Sequence, residues 1–251
     1  MLSMSKIGIV IPVLNNFEGA LNALQSVKTS HDWEPVILPQ WRENRPLSTA
    51  WNMGIEIALD RRGCDYVLVI NDDILFAPFT IDNLVEEFQN APEDVIMMTA
   101  INNRGYIDTY LGGPFGTLEH PHVEPNGIFT EHPDFSCFLI DKRAPSLVGK
   151  FDHGFDPAYY EDNDYNIRIH KSGLRSCCAS SAPYYHYASQ TKKTDNFHLL
   201  IEKNRELFER KWGAPASDNW DSFYNLPFNN SALSVKSCFP YTNLEDNAIP
   251  N

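Results

Sequence analysis

Three groups of acidic and imidazole side chains stand where an α/β protein could carry out chemistry. Asn71, Asp72 and Asp73 follow an apolar run, Glu161 and Asp162 begin a predicted helix, and His186 lies among tyrosines. Two adjacent carboxylates at the end of a buried strand are costly to desolvate unless a cation compensates them, and a divalent ion is the simplest such cation. A carboxylate beside aromatic side chains can act as a general base for a hydroxyl nucleophile. These residue types indicate a metal site and a proton acceptor.

Each group also has a purely structural interpretation. A polar Asn-Asp-Asp turn can cap a following helix, acids in a first helical turn are favoured by the helix dipole, and a single histidine is often a packed core residue. The functional interpretation is favoured when the three groups are considered together, because strand ends and helix starts meet at one edge of a parallel sheet.

The apolar pattern predicts the elements that would bring these groups together. Up to residue 99, buried strands alternate with amphipathic helices. The strands are predicted at 7–13, 35–38, 66–70 and 95–99, and the helices start near Asn15 or Asn16, at Ser48 or Thr49, and near Ile81. The second half is less regular, with long loops over 102–133, a strand at 135–140, a helix from Glu161 to Gly173, a strand from Arg175 and a helix over 196–212. This order predicts an α/β fold whose mostly parallel sheet is covered by helices.

Composition and charge exclude several classes of protein. The 251 residues carry a formal net charge of −13, which disfavours nucleic acid and anionic membranes as partners. No apolar run reaches the roughly 18 residues of a membrane span, and no secretory signal is recognised, so we expect a cytoplasmic protein. The five cysteines lack a Cys-x-x-Cys pair and predict neither disulfides nor zinc. A small anionic substrate would need a local device such as a bound cation.

The motifs, in their order and spacing over residues 6–213, resemble the inverting glycosyltransferases of family 2, which have the GT-A fold. The resemblance is greatest to the rhamnosyltransferase-like branch. The matching stretches are Pro12–Asn15, Asn44–Ile55, Val69–Asp73, Phe151–Asp152, Tyr160–Asp164, Arg168, Gly173, His186 and Asn204–Gly213.

The resemblance implies a three-layer α/β/α GT-A domain over residues 1–213, with residues 214–251 as an extension packed on it. It implies that Asp73 and His186 bind Mn²⁺ or Mg²⁺ and that Asp162 is the base, with Glu161 beside it in the catalytic site. The partners would be a nucleotide-diphosphate sugar, with UDP favoured over GDP and dTDP, and a hydroxyl acceptor such as a glycan. The implied donor-binding residues are Pro12, Val13, Asn15, Gln40, Asn44, Asn52, Asn71 and Asp72.

Several positions depart from the family pattern. Asn71 replaces the first Asp of the Asp-x-Asp motif, and no acidic residue follows Leu38 to meet the donor base. Pro46 stands where the family usually has Gly, and Trp51 where it usually has Asn or Arg. Two other functions stay open. A sugar-phosphate nucleotidyltransferase would show a Gly-rich basic loop after the first strand, where this chain has Asn15 and Asn16. A non-catalytic nucleotide-sugar or carbohydrate binder would keep the fold without turnover.

Overall fold

The computed structural model describes residues 4–40, 45–102, 135–186 and 197–212, and these ranges form one sheet covered by helices. The strands are β1 (Lys6–Val13), β2 (Asp32–Pro39), β3 (Tyr66–Ile70), β4 (Ile74–Phe76), β5 (Val95–Asn102), β6 (Cys137–Asp141) and β7 (Arg175–His186). The helices are α1 (Phe17–Gln25), α2 (Leu47–Glu56), α3 (Thr80–Asn90), α4 (Ala144–Leu147), α5 (Glu161–Lys171) and α6 (Phe197–Trp212). One π-helical turn, Ile57–Arg61, continues α2.

The described sheet has seven strands in the order β2-β1-β3-β6-β5-β7-β4. β1 pairs in parallel with β2 and β3, and β5 pairs in parallel with β7, whereas β6 and β4 are antiparallel to their neighbours. Strands β1, β2, β3, β5 and β7 therefore run in one direction, which confirms the mostly parallel sheet. We call the edge of the sheet where these five strands end the carboxyl rim.

The hydrophobic core lies on both faces of the sheet, because successive side chains of a buried strand point to opposite faces. On one face, Ile9 and Ile11 of β1 pack with the apolar residues of α1 and α3. On the other, Val10 packs with α2 and α5 through Trp51 and Tyr165. Each buried aliphatic or aromatic side chain contributes about 1.5 to 3 kcal/mol of transfer free energy. The sheet is thus a rigid base for the residues at its carboxyl rim.

The close packing of α2 on β1 depends on Gly54. A Cβ added there would lie 2.2 Å from Cγ1 of Val10, far inside van der Waals contact. Glycine therefore lets α2 lie directly against the sheet. This contact fixes the depth of α2, which carries Asn52.

The predicted start of α2 was wrong, because the helix begins slightly earlier in the chain than predicted. Neither Ser48 nor Thr49 caps the helix, which begins at Leu47 after Pro46. The extended backbone of Pro46 (ψ 143°) ends the preceding segment, and the N–H of Leu47 donates instead to the carbonyl of Pro157 at 2.8 Å. The carbonyl of Pro157, far away in the sequence, therefore replaces a local side-chain cap for this helix.

The other predicted strands and helices are confirmed within a few residues, and the four described cysteines are buried and form no disulfides with one another. The short elements β4 and α4 were missed. The predicted long loops fall almost entirely on 103–134, and the C-terminal extension on 214–251, which lie outside the described residues. Among the helices that are described, none has the length and apolar character needed to cross a membrane.

Candidate functional site

Asp73 and His186 are in direct contact at the carboxyl rim. Asp73 lies between β3 and β4, and His186 ends β7, where Ile74 pairs opposite it. Oδ1 of Asp73 is 2.9 Å from Nε2 of His186, and the two side chains are only 7% and 8% exposed. The short strand β4 is therefore what brings together two residues that are 113 positions apart in the chain.

The chemistry of this pair suits a divalent cation. Nε2 of His186 faces Oδ1 of Asp73, so an ion shared by the two side chains would take the place of this contact, while the buried Nδ1 has no hydrogen-bond partner among the described residues. Carboxylate oxygen and imidazole nitrogen are both ligands that Mn²⁺ accepts. Within the described ranges, no group of three or more His, Cys, Asp or Glu side chains could hold a metal. An ion here would therefore be completed by water and substrate oxygens, as is common for Mg²⁺ bound with phosphates.

The turn that carries Asp73 is held by the first turn of α1. The side chain of Asn16 caps α1 by accepting from the N–H of Gly19 and donates to the carbonyl of Asp72 at 2.8 Å. A Cβ on Gly19 would lie 2.2 Å from that carbonyl oxygen, so only glycine allows this approach. Burial, together with the charge of Asp73, raises the pKa of Asp72 to about 6. A charged Asp72 is therefore unfavourable at this position unless a cation compensates it.

The predicted donor-binding residues of the first strands also lie at the carboxyl rim. Pro12 and Val13 end β1 and are buried, whereas Asn15 is exposed. The N–H of Gln40 donates to Val13 at 2.7 Å, and Oε1 of Gln40 is buried without a partner in the described chain. An unpaired buried amide oxygen is an acceptor available to a ligand donor.

Other predicted donor-binding residues have structural contacts. The N–H of Asn71 donates to the carbonyl of Ser136 at 2.9 Å. The amide of Asn52 donates to the carbonyl of Phe151 and accepts from its N–H, each at 2.8 Å, and so joins α2 to the segment before α5. Asn44 lies outside the described residues. Donor binding by these residues stays a prediction.

Glu161 and Asp162 begin α5 after an unusual backbone turn. Tyr159 and Tyr160 have φ values of 81° and 75°, in the left-handed region that residues with a Cβ rarely adopt. This turn lies at the carboxyl rim, because its neighbour Pro157 accepts from Leu47, which follows the end of β2. Tyr159, which precedes the two acids in the chain, is 42% exposed. The turn therefore places the half-buried Asp162 and an exposed aromatic residue on the side where substrates would bind.

The two adjacent acids of α5 have different environments. Glu161 is 3% exposed, and its Oε2 has no partner among the described residues. Burial, followed by the charges of Asp162 and Asp164, raises the pKa of Glu161 well above its ordinary value. Asp162 is half-buried and accepts from the N–H of Asn163 at 2.8 Å. Glu161 therefore retains its proton to higher pH than a free carboxyl.

A buried group of charges, which sequence reasoning did not identify, anchors α5. Asp164 accepts from Arg168 at 2.9 Å and from the indole of Trp212 at 3.2 Å, and Nζ of Lys211 lies 2.7 Å from it. Lys211 also contacts Asp152 at 2.7 Å. Although burial raises the pKa of Asp164, the charges of Lys211 and Arg168 outweigh this and lower it. Two cations and two carboxylates thus join α6 to α5. The spacing of Asp164 and Arg168, four residues on one helix, was the only local signal.

Replacing Lys211 with Met is expected to lower the free energy of unfolding by about 3 to 5 kcal/mol, because it leaves a buried carboxylate without its counter-charge. Urea denaturation would measure the change. Lys142→Met is the matched control, since the exposed Lys142 lies 3.9 Å from Asp65 and should change stability by less than about 1 kcal/mol. Equal effects of the two substitutions would contradict a stabilising role for the buried charges.

Residues 19–142 match the model of glycosyl transferase family 2. The match runs from α1 to the residue after β6 and contains Asp73, whereas Asp162 and His186 lie beyond it. The resemblance seen in the sequence is therefore confirmed at the level of this family domain, and the rhamnosyltransferase-like branch stays a prediction.

Curated relatives are distant and longer. A galactofuranosyl glycosyltransferase of Leishmania donovani is 27% identical over 204 residues, covering 66% of this chain and 45% of that protein. Matrin-3 of Homo sapiens is 26% identical over 233 residues, covering 84% of this chain and 26% of that protein. The chain therefore spans less than half the length of these relatives.

Solved structures share the fold. The catalytic domain of Drosophila beta1,4galactosyltransferase 7, in complex with xylobiose, superposes with a TM-score of 0.55 at 16% identity, over 80% of this chain and 81% of that one. A mutant of that protein was solved with manganese, UDP-Gal and xylobiose. Glucosyl-3-phosphoglycerate synthase from Mycobacterium tuberculosis, with Mg²⁺ and UDP, gives 0.55 at 14% identity, over 85% of this chain and 81% of that one. The fold is that of the GT-A glycosyltransferases, as the sequence predicted.

Proposed function

We propose that this protein is a metal-dependent inverting glycosyltransferase that moves a sugar from a nucleotide-diphosphate sugar to a hydroxyl acceptor. The observation that carries the proposal is the contact between Asp73 and His186, a carboxylate and an imidazole buried together at the carboxyl rim. Open α/β sheets bind their ligands at this edge. The family match over residues 19–142 supports the same reaction class.

Asp73 and His186 would hold the Mn²⁺ or Mg²⁺ ion. When bound, such an ion supplies Lewis-acid stabilisation of the negative charge on a departing diphosphate. The protein as a whole carries a net charge of −13 and repels a diphosphate, so the positive charge must be local. Gln40, with its buried and unpaired Oε1, is a candidate acceptor for a donor group of the nucleoside.

Asp162 is the proposed general base. It accepts the proton of the acceptor hydroxyl as that oxygen forms a bond to the anomeric carbon. The bond between that carbon and the diphosphate oxygen breaks, and its electron pair leaves with the nucleotide. Attack from the side opposite the leaving group inverts the configuration. Glu161, whose pKa burial raises, would in its protonated form donate a hydrogen bond to the acceptor rather than remove its proton.

The partners are proposed from the relatives. UDP is the preferred donor nucleotide, because two structural neighbours were solved with UDP or UDP-Gal. GDP and dTDP are the alternatives. A glycan acceptor agrees with the xylobiose bound to one neighbour, and a rhamnosyltransferase-like deoxyhexosyl transfer is an alternative to galactosyl or galactofuranosyl transfer. We propose a cytoplasmic site of action without nucleic acid as a partner.

A donor-hydrolysis panel tests the proposal. UDP-, GDP- and dTDP-sugars, each with Mn²⁺, Mg²⁺ or EDTA, should give slow metal-dependent release of one nucleoside diphosphate. Hydroxyl acceptors should then accelerate that release. Release of pyrophosphate from a nucleoside triphosphate and a sugar phosphate would indicate a nucleotidyltransferase. Binding of sugar nucleotides without any turnover would indicate a binding protein, and both results would contradict the proposal.

A further inference from the structure

We propose that Asn204 on α6 is a positioning residue, whose buried amide holds the left-handed turn at Tyr159 and Tyr160 and thereby orients Glu161 and Asp162. The inference rests on the proposed function, in which these two acids face the acceptor. It adds a residue from the far end of the described chain, 42 positions after Asp162.

The turn is unfavourable by itself. Two consecutive residues with large side chains have φ values of 81° and 75°. For a residue with a Cβ, the left-handed region costs about 1 to 2 kcal/mol. Such conformations persist only where the surrounding structure fixes them. Something outside the turn must therefore stabilise it.

Asn204 supplies this stabilisation. Its side chain is 0% exposed, and Nδ2 donates to the carbonyls of Ala158 at 2.8 Å and Tyr159 at 3.4 Å. Within the described ranges, Oδ1 of Asn204 has no partner. The hydrogen bonds of this amide in the described structure therefore all go to the turn.

Phe208 adds a second contact from the same side of α6. It lies four residues after Asn204, and residues at this spacing share one helix face. The ring of Phe208 packs against that of Tyr160 with a centroid distance of 5.4 Å. One face of α6 thus contacts both the backbone and a side chain of the turn.

The left-handed turn also determines where α5 starts. The N–H of Asp164 donates to the carbonyl of Tyr160 at 2.9 Å, so the first helical hydrogen bond begins inside the turn. If the turn relaxed, the first helical turn would rotate and move both acids. Displacing a reacting group by about 1 Å can lower a rate by roughly 10²-fold. Asn204 would therefore act on turnover without touching either substrate.

Asn204→Leu tests the proposal, because leucine has a similar size but no donor. We expect kcat for transfer to fall by about tenfold or more while the affinity for UDP with Mn²⁺, measured by calorimetry, stays within about twofold. Gln89→Leu is the control. The amide of Gln89 donates to Oγ of Ser5 at 3.0 Å, at the edge of the sheet opposite the carboxyl rim. Loss of this hydrogen bond should leave kcat unchanged. An unchanged kcat in Asn204→Leu, or an equal loss of UDP affinity, would overturn the proposal.

A double-mutant cycle separates positioning from general stability. Glycine adopts positive φ without cost, so Tyr160→Gly makes the turn less dependent on Asn204. In the Tyr160→Gly background, the fold reduction of kcat caused by Asn204→Leu should be smaller than in the natural chain, by a factor of at least about three. Equal reductions would overturn the proposal. If Asn204→Leu does not fold, Asn204→Ala is judged by the same criteria.

Hydrogen exchange distinguishes failure of this inference from failure of the proposed function. Asn204→Leu should speed exchange of the amides at 159–162, whereas Gln89→Leu should not. If the natural chain transfers no sugar with any donor, the proposed function fails, and exchange alone then decides whether Asn204 holds the turn. Unchanged exchange would refute that role.

Discussion

Replacing Asp162 with Asn is expected to lower the turnover number for sugar transfer by about 10²-fold or more, because asparagine cannot take the acceptor proton. The affinity for UDP should stay unchanged, since Asp162 is proposed to act on the acceptor and not on the donor. Steady-state kinetics and calorimetry with UDP and Mn²⁺ would measure the two quantities. Loss of kcat without loss of donor affinity is the signature of an interaction made only in the transition state.

Glu161→Gln is the matched comparison for this substitution. Glutamine keeps the size of Glu161 and carries a hydrogen-bond donor, and Glu161 is not the proposed base, so this variant should lose much less activity than Asp162→Asn. Full activity in Asp162→Asn would show that the base lies elsewhere. A greater loss in Glu161→Gln would exchange the roles of the two acids.

Asp73→Ala is expected to abolish Mn²⁺-dependent binding of UDP. The substitution removes the carboxylate of the proposed metal site, and without a local cation the negative protein should repel the diphosphate. Calorimetric titration of UDP with Mn²⁺ and with EDTA would show the effect. His186→Ala should weaken metal dependence in the same direction.

Asp65→Ala is the charge-matched control for Asp73→Ala. Asp65 is 49% exposed and accepts from the N–H of Lys6 at 3.0 Å, at the start of β1 and away from the carboxyl rim. It should leave UDP binding unchanged. Unaltered binding in Asp73→Ala would refute the metal site. A large loss of melting temperature in metal-free His186→Ala would instead favour a packed core histidine.

The regular part of the fold could be predicted because its signals are local. The apolar runs of β1 and β3 are long enough to identify buried strands, and the amphipathic pattern of α3 identifies a helix. Strand β4 has only three residues, too few to show a period, and its existence depends on pairing with β7. The start of α2 depends on a hydrogen bond to Pro157, which no local pattern contains.

The residues of the candidate site likewise divide into those with a local sequence signal and those that depend on distant contacts. Asp73, Asp162 and His186 were predicted because each stands at the end of a recognisable element. The partners of Asp164 could not be predicted, since Lys211 lies 47 residues further along and resembles an ordinary surface lysine of an amphipathic helix. The left-handed turn at Tyr159 and Tyr160 was missed because neither residue is glycine or asparagine, the usual signals of positive φ.

The counter-charge that α6 supplies has a consequence for the order of events during synthesis. Asp152 and Asp164 leave the ribosome well before Lys211, and until the lysine emerges their desolvation is only partly compensated. The nascent sheet can pair its earlier strands, but α5 should dock stably only after translation has passed Trp212. Ribosome-arrested chains should therefore gain protease resistance in this region abruptly, once α6 has cleared the exit tunnel.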